Sequence, residues 1–299
     1  MKNEASPLPT AALLFGAALW GVAWYPYRVL AAGGLDGIWA TLATYGVALL
    51  AGVAIFPREA RRLAHMPALA LLMGAAIGWS NLAYVLGVLD GEVMRVLLLF
   101  YLAPLWTVPL AWVLLRERLD GAGLVVMALA FAGAMAMLWK PQLAAPWPTA
   151  RAEWLGLAAG FLFALGNVLI RRLDTMTDAG KSIVIWAGVT AAALVHLAAS
   201  RVSPAAAWSA TVHQAPLVLG IGLALVAMSL ALQYGLARMP ANRAIVILLS
   251  ELVVAAVASY WLAGERLRPG DWIGGALIVA ASVASGWLNA RRPTPGVPA

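Results

Sequence analysis

Cysteine is absent from the 299 residues, which excludes disulfides, thiolate metal sites and cysteine nucleophiles together and leaves the redox compartment open. Charge is nearly as scarce: Asp, Glu, Lys and Arg make up 11% of the chain, where a soluble domain carries about 25%. Too few charges remain to cover a water-facing surface, so a soluble globule, a disordered chain and a fibre are excluded. What is abundant is apolar, 63% hydrophobic with a mean hydropathy of +0.87. The apolar runs are unbroken and rich in Ala, Leu, Val and Gly, without the period-two alternation of an outer-membrane barrel. The composition is that of an all-α polytopic membrane protein. The polar start, Met1 to Pro9, is not followed by a small-residue cleavage site, so the first apolar run is expected to be a retained span.

A hydrocarbon core of about 30 Å takes roughly 20 apolar residues as helix. On that ruler the sequence predicts ten spans, near Pro9–Ala31, Gly37–Phe56, Pro67–Leu89, Val93–Leu115, Gly121–Trp139, Trp154–Ile170, Ile183–Ala199, Leu217–Leu236, Ala244–Ala263 and Trp272–Leu288. Turn residues mark most connections, among them Gly33-Gly34, Asp90-Gly91 and Pro269-Gly270. The longest link, Lys140 to Arg151, carries three prolines and divides the chain into residues 1–145 and 146–299, five spans each. With the N-terminus inside, thirteen of the twenty Lys and Arg fall on the inner side and seven on the outer. Basic residues are retained on the cytoplasmic side, so both termini are expected to be cytoplasmic.

The halves repeat. Gly87, Arg95, Glu117, Arg118 and Leu119 recur as Gly235, Arg243, Glu265, Arg266 and Leu267 at a constant offset of 148, and Gly16 and Arg28 recur as Gly160 and Arg172 at 144. An odd number of spans per half makes the repeat inverted in the membrane, the construction of secondary transporters that bind near midplane and alternate access. Ten spans as five plus five, with Glu-Arg-Leu closing the fourth span of each half, resemble the drug/metabolite transporter superfamily and its EamA-type repeats. Being tryptophan-rich, the chain is also similar to bacterial exporters of aromatic amino acids within that superfamily. The resemblance implies an inner-membrane exporter of small organic metabolites, aromatic or hydrophobic amino acids first among them; a drug or nucleotide-sugar carrier of the same superfamily is the alternative.

Polar side chains at membrane depth point to the pathway, because they are costly unless they face a cavity or a partner. Glu251, eight residues into its run, is placed about 12 Å deep, while every other charge falls in a connection, a tail or the last turn of a span. It reads as a proton-coupling carboxyl or a ligand for a substrate ammonium, or else as a neutral acid bonded to a neighbouring helix. Ser250 precedes it. Asn81 and Tyr84 share one face of span three, Phe163 and Asn167 one face of span six, and Ser229 and Gln233 one face of span eight. These groups suit either the polar end of an amino acid or interhelical bonding. Of fourteen tryptophans about half lie at span ends, where indole anchors at the interface. Deeper ones, Trp20, Trp24 and Trp79, with Tyr27 and Tyr101, are candidates to line an aromatic cavity or to pack. Pro104 and Pro109 invite a kink in span four. Arg95 and Arg243, equivalent in the repeat, are candidate gate residues, with Asp90 or Glu92 as the expected partner of Arg95; snorkelling to headgroups is the competing role.

An intramembrane enzyme would need a paired catalytic group at depth. The three histidines are scattered and no His-Glu-x-x-His occurs, so an enzyme is not expected. A non-transporting receptor or scaffold offers no reason for an inverted repeat with polar groups at depth. Without a Walker-type Gly-x4-Gly-Lys, ATP is not the direct energy source. No cofactor, metal or nucleic acid is expected. The expected partners are a small-molecule substrate and the lipid bilayer; the sequence leaves the oligomeric state open, a monomer included.

Overall fold

The computed structural model describes residues 8–116, 121–140, 145–146, 148–199, 204–236, 238, 247–248 and 250–291. Among these the chain is helical apart from a two-residue antiparallel pair, Trp139–Lys140 with Ala145–Pro146. The helices are α1 (Leu8–Val22), α2 (Trp24–Ala32), α3 (Gly37–Ile55), α4 (Pro57–Arg62), α5 (Ala68–Asp90), α6 (Val93–Phe100), α7 (Ala103–Leu115), α8 (Gly121–Leu138), α9 (Arg151–Arg172), α10 (Asp178–Ala199), α11 (Pro204–His213), α12 (Ala215–Leu236), α13 (Ser250–Ala263) and α14 (Pro269–Arg291). Six stretches are long and apolar enough to cross a bilayer: α1 with α2, α3, α5, α9, α10 and α12. Val93–Thr107 and Pro109–Leu115 meet at 43° and make a seventh if that bent pair is one span. Pro109 accounts for the bend, since it lacks the amide that would bond back to Leu105 and its ring crowds that carbonyl.

Helix ends follow local chemistry. Past Ala32 the chain closes a Schellman motif: the amide of Gly34 donates to Ala31 O (3.0 Å) and that of Leu35 to Leu30 O (2.9 Å). The motif needs a left-handed residue, supplied by Gly34 at φ +86°. Leu35 then packs on Leu30, both fully buried. At the next residue, Asp36 Oδ1 accepts from the amide of Ile38 (2.9 Å) and caps α3. The tight reversal between the first two spans is thus written in Gly33-Gly34-Leu35-Asp36.

Glycines set the closest helix crossings. A β-carbon on Gly188 of α10 would overlap the carbonyl oxygen of Gly74 on α5, and one on Gly78 would overlap Gly188 O. Gly74 and Gly78 are four apart, so α5 offers a small-residue groove into which α10 fits, a packing mode that works in lipid without a hydrophobic driving force. Gly156 and Gly160 of α9 repeat the device against Val96 and Phe100 of α6. Replacing Gly188 by Leu is expected to cost at least about 1–3 kcal/mol by overpacking and to lower the melting temperature of the detergent-purified protein. Gly46→Ala, where the new methyl meets open space, is expected to hold or raise it.

These contacts bury α6 at the centre. Leu97 and Leu99 have no exposed surface, and α9, α13, α14 and α5 surround the helix. The α6 segment carries Arg95 and leads into Tyr101, so its placement fixes both.

Candidate functional site

A cavity of about 90 Å³ lies between α1, α2, α3, α5 and α12. Leu19, Trp20, Ala23, Pro26 and Tyr27 turn one face of the first span toward it, with Tyr45 from α3, Asn81 and Tyr84 from α5, and Leu225 and Met228 from α12. Its polar groups are organised. Tyr45 donates its hydroxyl to Asn81 Oδ1 (2.7 Å), Asn81 Nδ2 donates to Ile77 O (2.9 Å), and the hydroxyls of Tyr27 and Thr44 share a bond of 2.8 Å. None of the described lining residues is charged. Tyr84 joins the cavity to an aromatic cluster: its ring meets Phe100 edge-on at 5.9 Å, and Phe100 contacts Tyr101 at 5.7 Å and Phe163 at 4.9 Å.

Glu251 sits beyond that cluster, in the first turn of α13. Tyr101, at the junction of α6 and α7, donates its hydroxyl to Glu251 Oε2 at 2.9 Å. Across the interface Gly21 is the only residue type that fits, since a β-carbon there would lie 2.8 Å from Glu251 O and 2.9 Å from Val254 Cβ. The carboxyl is therefore held where the first span, the α6–α7 junction and α13 meet.

At one end of the bundle three ionic arrangements join the two halves. Arg95, 6% exposed, lies between two carboxylates: its Nε donates to Glu153 Oε1 at 2.6 Å and its Nη1 to Asp271 Oδ1 at 3.3 Å. Glu153 also accepts from the amides of Thr149 and Ala150 before α9, and Asp271 from the amide and Nε of Arg268 before α14. Each acid thus caps its own helix while holding Arg95 on α6. Arg28 of α2 donates through Nε to Val88 O (3.0 Å) and through Nη2 to Gly91 O (2.7 Å) and Glu265 Oε1 (3.3 Å), with its guanidinium 5.1 Å from the centre of the Trp24 ring. Glu265 in turn accepts from the amides of Val93 (2.9 Å) and Met94 (3.3 Å), capping α6. Asp90 and Arg151 form an exposed pair at 2.8 Å.

The profile of the EamA-like transporter family matches residues 9–139 and again 150–286. The chain belongs to the EamA-like transporter family. It is 27% identical over 204 residues to an uncharacterized transporter of Archaeoglobus fulgidus, a match that covers 66% of this chain and 68% of that protein. One solved structure, described only as the crystal structure of a protein, superposes with a TM-score of 0.53 at 18% identity, over 92% of this chain and 99% of that one. That likeness is one of fold.

Within this EamA-like protein the sequence-predicted residues separate into groups. Trp20, Asn81 and Tyr84 line the cavity, while Tyr101, Phe163 and Glu251 belong to the adjoining cluster. Trp24 lies past the edge of the lining face; it is fully buried, donates Nε1 to Gly21 O (3.0 Å) and supports Arg28. Trp79 is 37% exposed and meets the His196 ring at 6.1 Å, away from the cavity. Asn167 donates to Phe163 O on its own helix (2.9 Å), and Gln233 donates to Ser182 Oγ, linking α12 to α10. Ser229 and Ser250 are half-buried outside the cavity lining, Pro104 stands in the first turn of α7, and Pro109 bends that helix. Arg243 lies outside the described residues.

One expectation needs correction. Arg95 pairs with neither Asp90 nor Glu92: the former holds Arg151 and the latter stands 4.0 Å from Arg268. Both precede α6 on the exposed rim, whereas Arg95 faces the bundle interior. Glu153, Asp271, Arg28 and Glu265 were not singled out from sequence as site residues. An acid at the third position of a helix, where Glu153 and Asp271 both stand, is the capping signal that would have found two of them.

Proposed function

We propose that this chain is an exporter of aromatic or hydrophobic amino acids in a bacterial inner membrane. It works by alternating access in ten spans arranged as two inverted five-helix units, residues 1–145 and 146–299, with both termini cytoplasmic. The observation that carries the substrate reading is the cavity wall, in which Trp20, Tyr27, Tyr45 and Tyr84 supply rings and the Tyr45–Asn81 pair supplies a fixed polar group. Ring contacts of this kind add roughly 0.5–1.5 kcal/mol each beyond burial. A volume of about 90 Å³ is well below the roughly 300–1,000 Å³ of small-molecule sites, so the helices around the cavity must part to admit substrate. With the N-terminus inside, the Arg95 end is the outer face, and its ionic ties hold that face shut. Arg95 is then an outer gate residue and Pro109 a bending point.

The uncharged lining gives weight to one alternative, a carrier of apolar drugs, and disfavours a nucleotide sugar, whose phosphates call for basic side chains. Purified protein in proteoliposomes decides between them. Loaded tryptophan is expected to drive counterflow of labelled phenylalanine or tyrosine, and Tyr45→Phe to weaken it by freeing Asn81. Counterflow absent for all three aromatic amino acids but present for planar apolar drugs overturns the amino acid reading.

A further inference from the structure

We propose that Glu265 is a latch for the outer gate, closing it by capping α6 and holding Arg28, and that outward opening requires this carboxylate to leave the helix end. Glu265 belongs to the second half of the chain, yet among the described residues every hydrogen-bond partner of its carboxylate lies in the first: the amides of Val93 and Met94 and the guanidinium of Arg28. The residue is delivered there by a sharp turn. Gly264, at φ +67°, ends α13 in the left-handed conformation, and the amide of Glu265 bonds back to Ser259 O at 3.2 Å. Arg28 is equally committed, since Trp24 lies under it and the carbonyls of Val88 and Gly91 at the end of α5 accept its other bonds. One carboxylate thus ties the first, third and fourth spans of one half to the link between the last two spans of the other.

Such a joint is stable but not buried beyond reach. The Glu265 side chain is 12% exposed and Arg28 29% exposed, so water can replace the protein partners when the halves separate. This sets it apart from the Arg95 cluster, which is nearly sealed. A charge-assisted cap holds a helix end while it is made and releases it in one step, which is what a two-state gate demands. Arg172, the repeat counterpart of Arg28, is exposed at the opposite end and donates to Leu114 O at 2.8 Å. Of these two repeat-related arginines, the one at the Arg95 end is therefore enclosed by two carbonyls, a ring and a carboxylate.

The proposal rests on alternating access and not on the identity of the substrate, and its test needs no transport. The chain has no cysteine, so Val85→Cys in the cavity wall gives a single thiol. Its labelling by a membrane-impermeant maleimide is timed from the outer face in cells and from the inner face in inverted vesicles. Glu265→Ala is expected to raise the outer rate about tenfold, the population shift that a lost charged cap supports, and to lower the inner rate. Arg28→Met, which removes the ion pair but spares the cap, is expected to give a smaller change of the same sign. Arg62→Gln, which breaks an exposed pair with Glu59 away from this gate, is expected to leave both rates alone. An unchanged outer rate in Glu265→Ala, or equal rises from both faces, overturns the latch. Should Glu265→Ala fail to accumulate, Glu265→Gln and Arg28→Met decide on the same criterion. Failure of the amino acid panel leaves these rates fully interpretable.

Discussion

Replacing Arg95 by Met is expected to cost about 3 kcal/mol of stability and to lower the melting temperature of the purified protein more than loss of any exposed pair. The guanidinium lies between Glu153 and Asp271, and all three side chains are at most 7% exposed. Removing one partner of a buried ionic cluster costs about 3–5 kcal/mol, because the remaining charges keep their desolvation penalty and lose its compensation. The lower end applies here, since Asp271 keeps its bonds to Arg268 at 3.0 and 3.1 Å. The same logic predicts a rescue. The triple change Arg95→Met, Glu153→Gln, Asp271→Asn removes the charges together while the amide oxygens still cap α9 and α14, so most of the lost stability is expected to return. Thermal unfolding of the two proteins in one detergent measures the difference. A triple variant as unstable as the single would show that the loss lies in packing of the Arg95 stem and not in uncompensated charge.

How far the sequence reaches is shown by the same residues. Arg95 and Glu265 stood out because each recurs at a fixed offset in the other half, and both prove to join the halves. The turn at Gly33-Gly34 was legible because its chemistry acts within a few residues. Partners across the bundle were not. Glu153 is 58 residues from Arg95 and Asp271 is 176, and the nearer acids Asp90 and Glu92 turn to the rim. Trp20 and Trp24, four apart, share a face by spacing, yet the cavity takes the face centred on Ala23 and Tyr27, leaving Trp24 beneath Arg28. Tyr45 had no periodic signal at all. It is one of two aromatics in an apolar helix, and only the approach of Asn81 on α5 gives its hydroxyl a purpose. Apolar patterning in a membrane chain says that a residue lies in a span; it does not say which side faces lipid, because both environments are apolar.

Glu251→Gln is expected to abolish the pH dependence of transport while leaving the fold intact. The carboxyl of Glu251 has one described hydrogen-bond donor, the hydroxyl of Tyr101 at 2.9 Å, and no cation beside it among the described residues. A group so placed can take up and release a proton as the two faces of the membrane are exposed to it in turn, which is the requirement for exchanging a proton against an exported molecule. The sign follows from the direction of the gradient. An acidic outer medium drives protons inward, so the wild-type protein in oriented vesicles is expected to export faster as the outer pH falls. Gln keeps a hydrogen-bond acceptor for Tyr101 but cannot change charge, so its rate is expected to be flat across the same range. Tyr101→Phe leaves the acid in place and removes its positioning bond, and is expected to shift the profile along the pH axis without flattening it. A Gln variant that retains the wild-type profile would make Glu251 a structural carboxyl and the carrier a facilitator that runs down the substrate gradient alone.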